Sequence, residues 1–288
     1  MVARVRFGAD KASNRRIAAT VCGMTGRVRS GIILKSAREI GLMREAGGLV
    51  HDVLSVLEGL VKPGVTTGAL NEIAEKRIAD AGAVALFKGV VNPQARFAFP
   101  AALCTSVNDE VVHGIPGERS LRDGDVVSID CGVRLNGYCG DSARTFAVGQ
   151  VGEDVSRLLD VTRATLQLAI DEIRVGCMWS EVARQLQRYV EDAGMGVVRD
   201  FVGHGIGQEM HEEPKVPNYS DRKQASSDFR LEANMTLAIE PMVNLGTHEV
   251  RFGDRDKWAV VTRDGQYAAH FEHTVAITAD GVEVLTTR

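Results

Sequence analysis

The segment from Val126 to Val148, VVSIDCGVRLNGYCGDSARTFAV, constrains the fold of this chain more than any other. Two runs of strand-forming residues flank Asn136-Gly137, the dipeptide best suited to a two-residue type I′ turn. That turn sets the register: Leu135 faces Tyr138, Arg134 faces Cys139, Gly132 faces Asp141 and Asp130 faces Ala143. Asp130 and Asp141 then point to one face of the ribbon as diagonal neighbours, about 7–8 Å apart at the backbone. Two carboxylates aimed at one spot repel each other unless a proton or a cation lies between them. Beside Val127, Ile129 and Phe146 they also bear the cost of unpaired charge in apolar surroundings. A bound metal removes both costs. A solvent-facing acidic pair on an edge hairpin is the alternative, and the hairpin alone does not choose.

Composition narrows the class. With 288 residues, 44% hydrophobic and 25% charged, the chain suits a soluble globular protein with a sizeable core. A net charge of −4 argues against a general nucleic-acid binder, and no apolar run reaches transmembrane length. The five cysteines (Cys22, Cys104, Cys131, Cys139, Cys177) are odd in number and lack CxxC spacing. That fits a reducing compartment, not a disulfide frame or a zinc knuckle. Residues 1–35 hold eight Lys or Arg against one acid, Asp10, without periodicity. A flexible basic extension able to touch an acidic partner such as RNA is expected there, with an Arg-rich organelle transit peptide as the competing reading.

From Ser36 onward the pattern is regular. Ser36-x-x-Glu39 reads as a capping box opening a helix with Ile40, Met43, Leu49, Val50, Val53, Leu54 and Leu57, stopped at Lys62-Pro63-Gly64. A second helix runs from near Thr67 to Gly82, and a strand is expected around Leu103. After the hairpin come a helix over 154–175 and another capped by Ser180 and ended at Ala193-Gly194. Gly64 and Asp80-Ala81-Gly82 recur 112 positions later as Gly176 and Asp192-Ala193-Gly194, which suggests two related halves. No Pro/Gly/Ser-rich linker divides them, so a single domain over 36–288 with an internal pseudo-twofold is expected. The remainder reads as strands: Met235 to Val243, a hairpin of Trp258–Thr262 and Tyr267–Thr278 about Asp264-Gly265, and a last strand after Asp280-Gly281. Helix pairs over antiparallel hairpins make an α+β layer fold.

Further ligand candidates are scattered. His204 lies in Gly203-His204-Gly205-Ile206-Gly207, where no helical pattern begins, so this is not a dinucleotide loop. By itself it also reads as an ordinary loop histidine. Glu240 ends the apolar run MTLAIEP, and Glu272 sits inside AAHFEHTVAIT. Acids in such strands are seldom tolerated without a partner. Together with Asp130 and Asp141 they form a set of four carboxylates and one imidazole. Such a set suits two divalent ions about 3.5–4 Å apart sharing a water or hydroxide. Oxygen-rich ligation with one nitrogen favours Mn, Fe, Co or Zn over Mg. His113 and His211 look placed for a substrate. His211-Glu212 does not extend to HExxH, because position 215 is lysine, which removes the single-zinc protease reading.

The phrases NDEVVHGIP, SIDCG, GYCGDSARTF, GHGIG, MHEEP, AIEPM and FEHTV, in this order, resemble those of the type I methionine aminopeptidases over essentially all of residues 36–288. The resemblance implies the pita-bread fold, a pseudo-twofold α+β arrangement around a dinuclear centre. It implies that Asp130 binds one ion, Asp141 and Glu272 bridge both, and His204 and Glu240 bind the second. It further implies Glu240 as proton shuttle, His113 near the scissile amide, His211 on the substrate carbonyl, and a metal-bridging water as the attacking group. The implied side-chain pocket is Phe99, Cys104, His113, Met210 and Trp258, apolar and thiol-lined as a thioether requires. Cys139 stands where many relatives have His, Met210 where an aromatic is frequent, and Phe99 where Tyr is frequent. The expected enzyme removes the initiator methionine from nascent chains as a cytoplasmic monomer. Residues 1–35 would touch ribosomes, and neither a membrane nor specific DNA is a partner. A peptidase of the same fold acting on Xaa-Pro substrates, and a non-catalytic binding module of that fold, are the competing readings.

Overall fold

The computed structural model describes residues 28–29, 31–221 and 227–288. Asn136 and Gly137 take the positive φ angles (52° and 84°) that a type I′ turn demands. Around them Val126–Leu135 and Tyr138–Ala147 pair in the expected register, Gly132 opposite Asp141 and Asp130 opposite Ala143. On its other edge Val126–Leu135 pairs antiparallel with Leu103–Val107, which sets Cys104 opposite Asp130. Helices α1 (Ala37–Glu58) and α2 (Thr67–Asp80) cover this sheet, with Val50, Leu54, Leu57 and Leu70 in one core with Val127 and Ile129. The capping box at Ser36 and Glu39 forms in both directions.

The second half repeats the plan. Helices α3 (Glu153–Glu172) and α4 (Trp179–Asp192) share a core with Leu237, Val275 and Ile277 of a seven-stranded sheet. Both ends of α4 lie 112 positions after those of α2. The ties match as well: Gly64 N–H donates to Leu121 O and Gly176 N–H to Leu231 O, both at 2.8 Å. Thr67 N–H donates to Arg119 O and Trp179 N–H to Phe229 O in the same way. The molecule is an α+β arrangement of two related halves, and the hairpin of the first meets the seven-stranded sheet of the second where Asp141 N–H donates to Thr274 Oγ1.

Several local expectations are corrected. The N-cap of α4 is Met178, not Ser180; the Ser180 N–H is instead satisfied by Asp228 Oδ1 at 3.0 Å, from a distant segment. Met235 to Val243 is not one strand but two, Thr236–Ile239 and Met242–Asn244, separated at Glu240-Pro241. Proline has no N–H to donate to a ladder, and the chain there crosses from one sheet to another. Asp264-Gly265 turns the chain without making a hairpin. Val260–Thr262 pairs with Val250–Phe252, whereas Ala268–His270 pairs with Met242–Asn244. The last turn is Ala279-Asp280, since Thr278 faces Gly281. Of the extension expected over 1–35, residues 1–27 and 30 lie outside the described residues. Ile32-Ile33 form a strand of the seven-stranded sheet and Lys35 is buried, so ordered structure begins before residue 36.

Candidate metal centre

Each candidate ligand is carried to one place by a local cause. The register of the hairpin sets Asp130 and Asp141 on one face. The break at Pro241 ends the strand Thr236–Ile239 and leaves Glu240 at its tip. His204 sits in the short strand Gly203–Gly205, opposite Ala238. Its flanking glycines are required by close approach, because a Cβ at Gly205 would lie 2.1 Å from Glu213 O and one at Gly203 2.3 Å from Ala238 O. Glu272 is stapled to the hairpin by its own backbone: its N–H donates to Ala143 O at 2.9 Å and its carbonyl accepts from Ser142 Oγ at 2.6 Å. Thr274 Oγ1 accepts from Asp141 N–H and donates to Asp141 O, which fixes the same contact one step along.

The result is a buried acidic cluster. One donor atom each from Asp141, His204 and Glu272 lie within 4.8 Å of one another, and His204 Nε2 is 3.7 Å from Glu240 Oε1. Burial, followed by mutual repulsion, pushes Asp130, Glu240 and Glu272 well above the usual carboxylate range, and burial pushes Asp141 up to about 7. His204 is held down to about 4 by burial and by neighbouring His211. Its Nδ1 lies 2.9 Å from Gly205 O, an atom that only accepts, so Nδ1 carries the proton and Nε2 turns a lone pair toward the carboxylates.

Asp130 Oδ1, Asp141 Oδ1 and Glu272 Oε1 are buried with no hydrogen-bond partner among the described residues. Orphaned oxygens of like charge are costly unless a cation sits among them. With a neutral imidazole beside them, the donor set fits a divalent cation.

Above the cluster opens a cavity of about 260 Å³. Every ligand and pocket residue expected from the sequence lines it: Asp130, Asp141, His204, Glu240 and Glu272, with His113, His211, Phe99, Cys104, Met210 and Trp258. The His211 ring stands edge-on to His204 at 4.4 Å. Phe99 meets Trp258 edge to face at 5.2 Å, and the Trp258 indole N–H is anchored on Phe97 O. Burial keeps His113 neutral, its pKa lowered to about 4. Cys139 is buried near this site without lining the cavity, its thiol donating to Gln208 O.

Seven lining residues escaped the sequence reading: His270, Phe201, Met242, Phe87, Val90, Val112 and Val202. His270 is 2% exposed, and its Nε2 lies 3.7 Å from Glu240 Oε2 and 4.0 Å from Glu272 Oε2. Its parity with Glu272, two residues on, was the available signal. Phe201 gives none, since it sits just outside GHGIG, whereas Met242 closes the phrase AIEPM and could have been read from it.

A model of metallopeptidase family M24 matches residues 41–279. The chain is 48% identical over 255 residues to a methionine aminopeptidase of Clostridium perfringens, covering 88% of this chain and 98% of that protein. It is 46% identical to methionine aminopeptidase 1 of Bacillus subtilis, covering 88% of this chain and 99% of that one. Among solved structures, a methionine aminopeptidase from Thermotoga maritima superposes with a TM-score of 0.83 at 38% identity, covering 89% of this chain and all of that one.

Proposed function

This chain belongs to metallopeptidase family M24, and on that premise we propose that it is a metal-dependent aminopeptidase that removes the initiator methionine from nascent chains. The observation that carries this reading is the cavity itself. Its floor gathers four carboxylates and a neutral imidazole with uncompensated oxygens, and its wall is Phe99, Cys104, Met210 and Trp258. A flexible thioether is matched by such an apolar, sulfur-containing wall.

Asp130, Asp141, His204, Glu240 and Glu272 would hold two divalent ions, with Asp141 and Glu272 among the donors. Manganese, iron, cobalt or zinc suits five such donors better than magnesium. When bound, the ions would supply Lewis acidity toward the scissile carbonyl and an acidified water as nucleophile. Glu240 receives the proton of the attacking water and passes it to the leaving amine. His211 donates a hydrogen bond to the carbonyl oxygen as negative charge builds there. Burial lowers its pKa, so it acts as a neutral donor and adds no cation beside the metal site. His113, also neutral, hydrogen-bonds the scissile amide. The aromatic pair Phe99–Trp258 confines the side chain and excludes water from it.

We place the enzyme in the cytoplasm as a monomer. Residues 36–288, with the strand Ile32–Ile33 and the buried Lys35 packed on them, form its catalytic domain, and the basic segment ahead of that strand touches ribosomes through its seven other Lys and Arg. Among the described residues no helix is long and apolar enough to cross a membrane.

Metal analysis of the purified protein, coupled to cleavage of Met-Ala-Ser against Ala-Pro-Ser, tests the reading. Release of methionine from the first peptide alone is expected. Cleavage of Ala-Pro-Ser alone would replace it with an Xaa-Pro specificity, and no cleavage by metal-loaded protein would leave a binding module.

A further inference from the structure

Met210 and His211 reach the cavity from the loop that follows Gly207 and ends where the strand Glu212–Val216 begins. The hairpin holds one side of this loop, with Cys139 N–H donating to Gly207 O at 2.8 Å and Arg134 pairing with Glu209 at 3.1 Å, and residues ahead of the part matched to the family hold the other. Ile32 pairs in parallel with Glu213, which lays the N-terminal strand along the base of the loop. Three residues on, the Lys35 ammonium lies 2.7 Å from Glu212 Oε2 and 2.9 Å from Ile33 O, with the two charged side chains 3% and 8% exposed. The other oxygen of Glu212 accepts the Glu209 N–H at 3.3 Å, so a single carboxylate joins Lys35 to the loop. The packing is close, since a Cβ on Gly207 would come within 2.4 Å of both Lys35 Cε and Glu212 Oε1. A second tie runs beside the first. Glu39 accepts from the Ser36 and Tyr138 hydroxyls, and Gln208 donates to Tyr138 Oη at 3.0 Å.

A buried ammonium–carboxylate pair is a poor device for stability alone. Desolvation consumes most of its Coulombic gain, and apolar replacements of similar volume are often neutral or better. What the pair does supply is direction: the Lys35 stem and the two Glu212 oxygens fix where the loop turns back toward His204.

We propose that Lys35 is a positioning residue for the substrate site. Through Glu212 it holds the Gly207–His211 loop so that His211 stays against His204 and Met210 stays in the cavity wall. The effect on turnover rests on the role given to His211 above; the effect on the loop does not. A side chain displaced by about 1 Å loses a large part of its contribution to a reaction barrier.

The test uses Lys35→Met and the double substitution Lys35→Met/Glu212→Met, with Lys35→Arg as the conservative control. Amide hydrogen exchange of the metal-free full chain reads the loop directly. Faster exchange over residues 207–211 is expected in both Met variants, with the strand Val126–Leu135 keeping its protection. For Met-Ala-Ser, kcat should fall about a hundredfold with metal content and KM near the parent values. The double variant, which leaves no buried charge unpaired, should regain the melting temperature while keeping both defects, and Lys35→Arg should retain most of the turnover. A purely structural role predicts that the double variant recovers exchange and kcat together with its melting temperature, and that result would overturn the proposal. If the parent protein releases no methionine, the proposed function fails, yet exchange over 207–211 still decides the role of Lys35.

Discussion

Asp130 and Glu240 stand at equivalent points of the two halves. Each lies nine residues after a leucine, Leu121 or Leu231, whose carbonyl accepts the N–H of a left-handed glycine, Gly64 or Gly176, at 2.8 Å. The repeat therefore delivers one carboxylate from each half to the same cavity.

That equivalence predicts equivalent losses. Asp130→Asn and Glu240→Gln each remove one anionic donor while preserving shape. Partners outside the ligand shell of a metal already cost about 10–100-fold when lost, so a fall beyond a hundredfold in metal affinity and in kcat/KM is expected for each. Calorimetric titration with manganese and peptide turnover check it; a variant with parental affinity would remove that residue from the ligand set.

The metal-free protein should lose stability as pH rises. Burial lifts Asp141 to about 7, and burial with mutual repulsion lifts Asp130, Glu240 and Glu272 well above their ordinary values. Such groups hold protons in the folded state that they release on unfolding. Their contribution is complete below the ordinary carboxylate pKa and is lost as pH climbs through the folded one. The melting temperature of chelator-treated protein should drop by about 10 °C between pH 5 and pH 8. Added metal should restore it, and more at pH 8 than at pH 5. A chelated protein most stable at pH 8 would contradict this.

His211→Ala should separate binding from chemistry. Removing a single donor to a developing oxyanion costs about 10²–10³ in kcat. KM and metal content should change little, since the ring touches His204 only edge-on. Steady-state kinetics with metal analysis are sufficient, and a change confined to KM would assign the residue to ground-state binding.

Gly205→Ala tests the close approach at the centre. The new Cβ would sit 2.1 Å from Glu213 O, a backbone atom that cannot swing aside. Overpacking of this kind costs about 1–3 kcal/mol, and occasionally more. A lowered melting temperature together with weakened metal binding is expected, because the strand bearing His204 must shift. Denaturant unfolding and metal titration provide the check.

Much of this protein was determined by its sequence acting over short range. The Asn136-Gly137 turn admits one register, so Asp130 and Asp141 share a face without help from the rest of the chain. The Ser36–Glu39 box starts α1, and the left-handed glycines that follow α2 and α4 keep their offset of 112. These are local outcomes of backbone sterics and hydrogen-bond satisfaction, and neighbours a few residues apart suffice to read them. The repeat of Leu121-x-x-Gly124 through Asp130 as Leu231-x-x-Asn234 through Glu240 was equally available, although Asn replaces Gly at the left-handed position. Acids in apolar strands and a glycine-flanked histidine marked Glu240, Glu272 and His204 as candidates, and the resemblance gave them roles, but no spacing among residues so far apart says that they meet. The tertiary structure decided that. Pro241 splits one apolar run between two sheets, Val260–Thr262 and Ala268–His270 part into different ladders, and Ser142 and Thr274 lock Glu272 against the hairpin. It also decided the burial of Lys35 on Glu212 and the place of His270, because only packing of distant segments selects which charges lose their water. Turns and caps are settled by energies within a few residues, whereas a buried site is settled by which surfaces exclude solvent together.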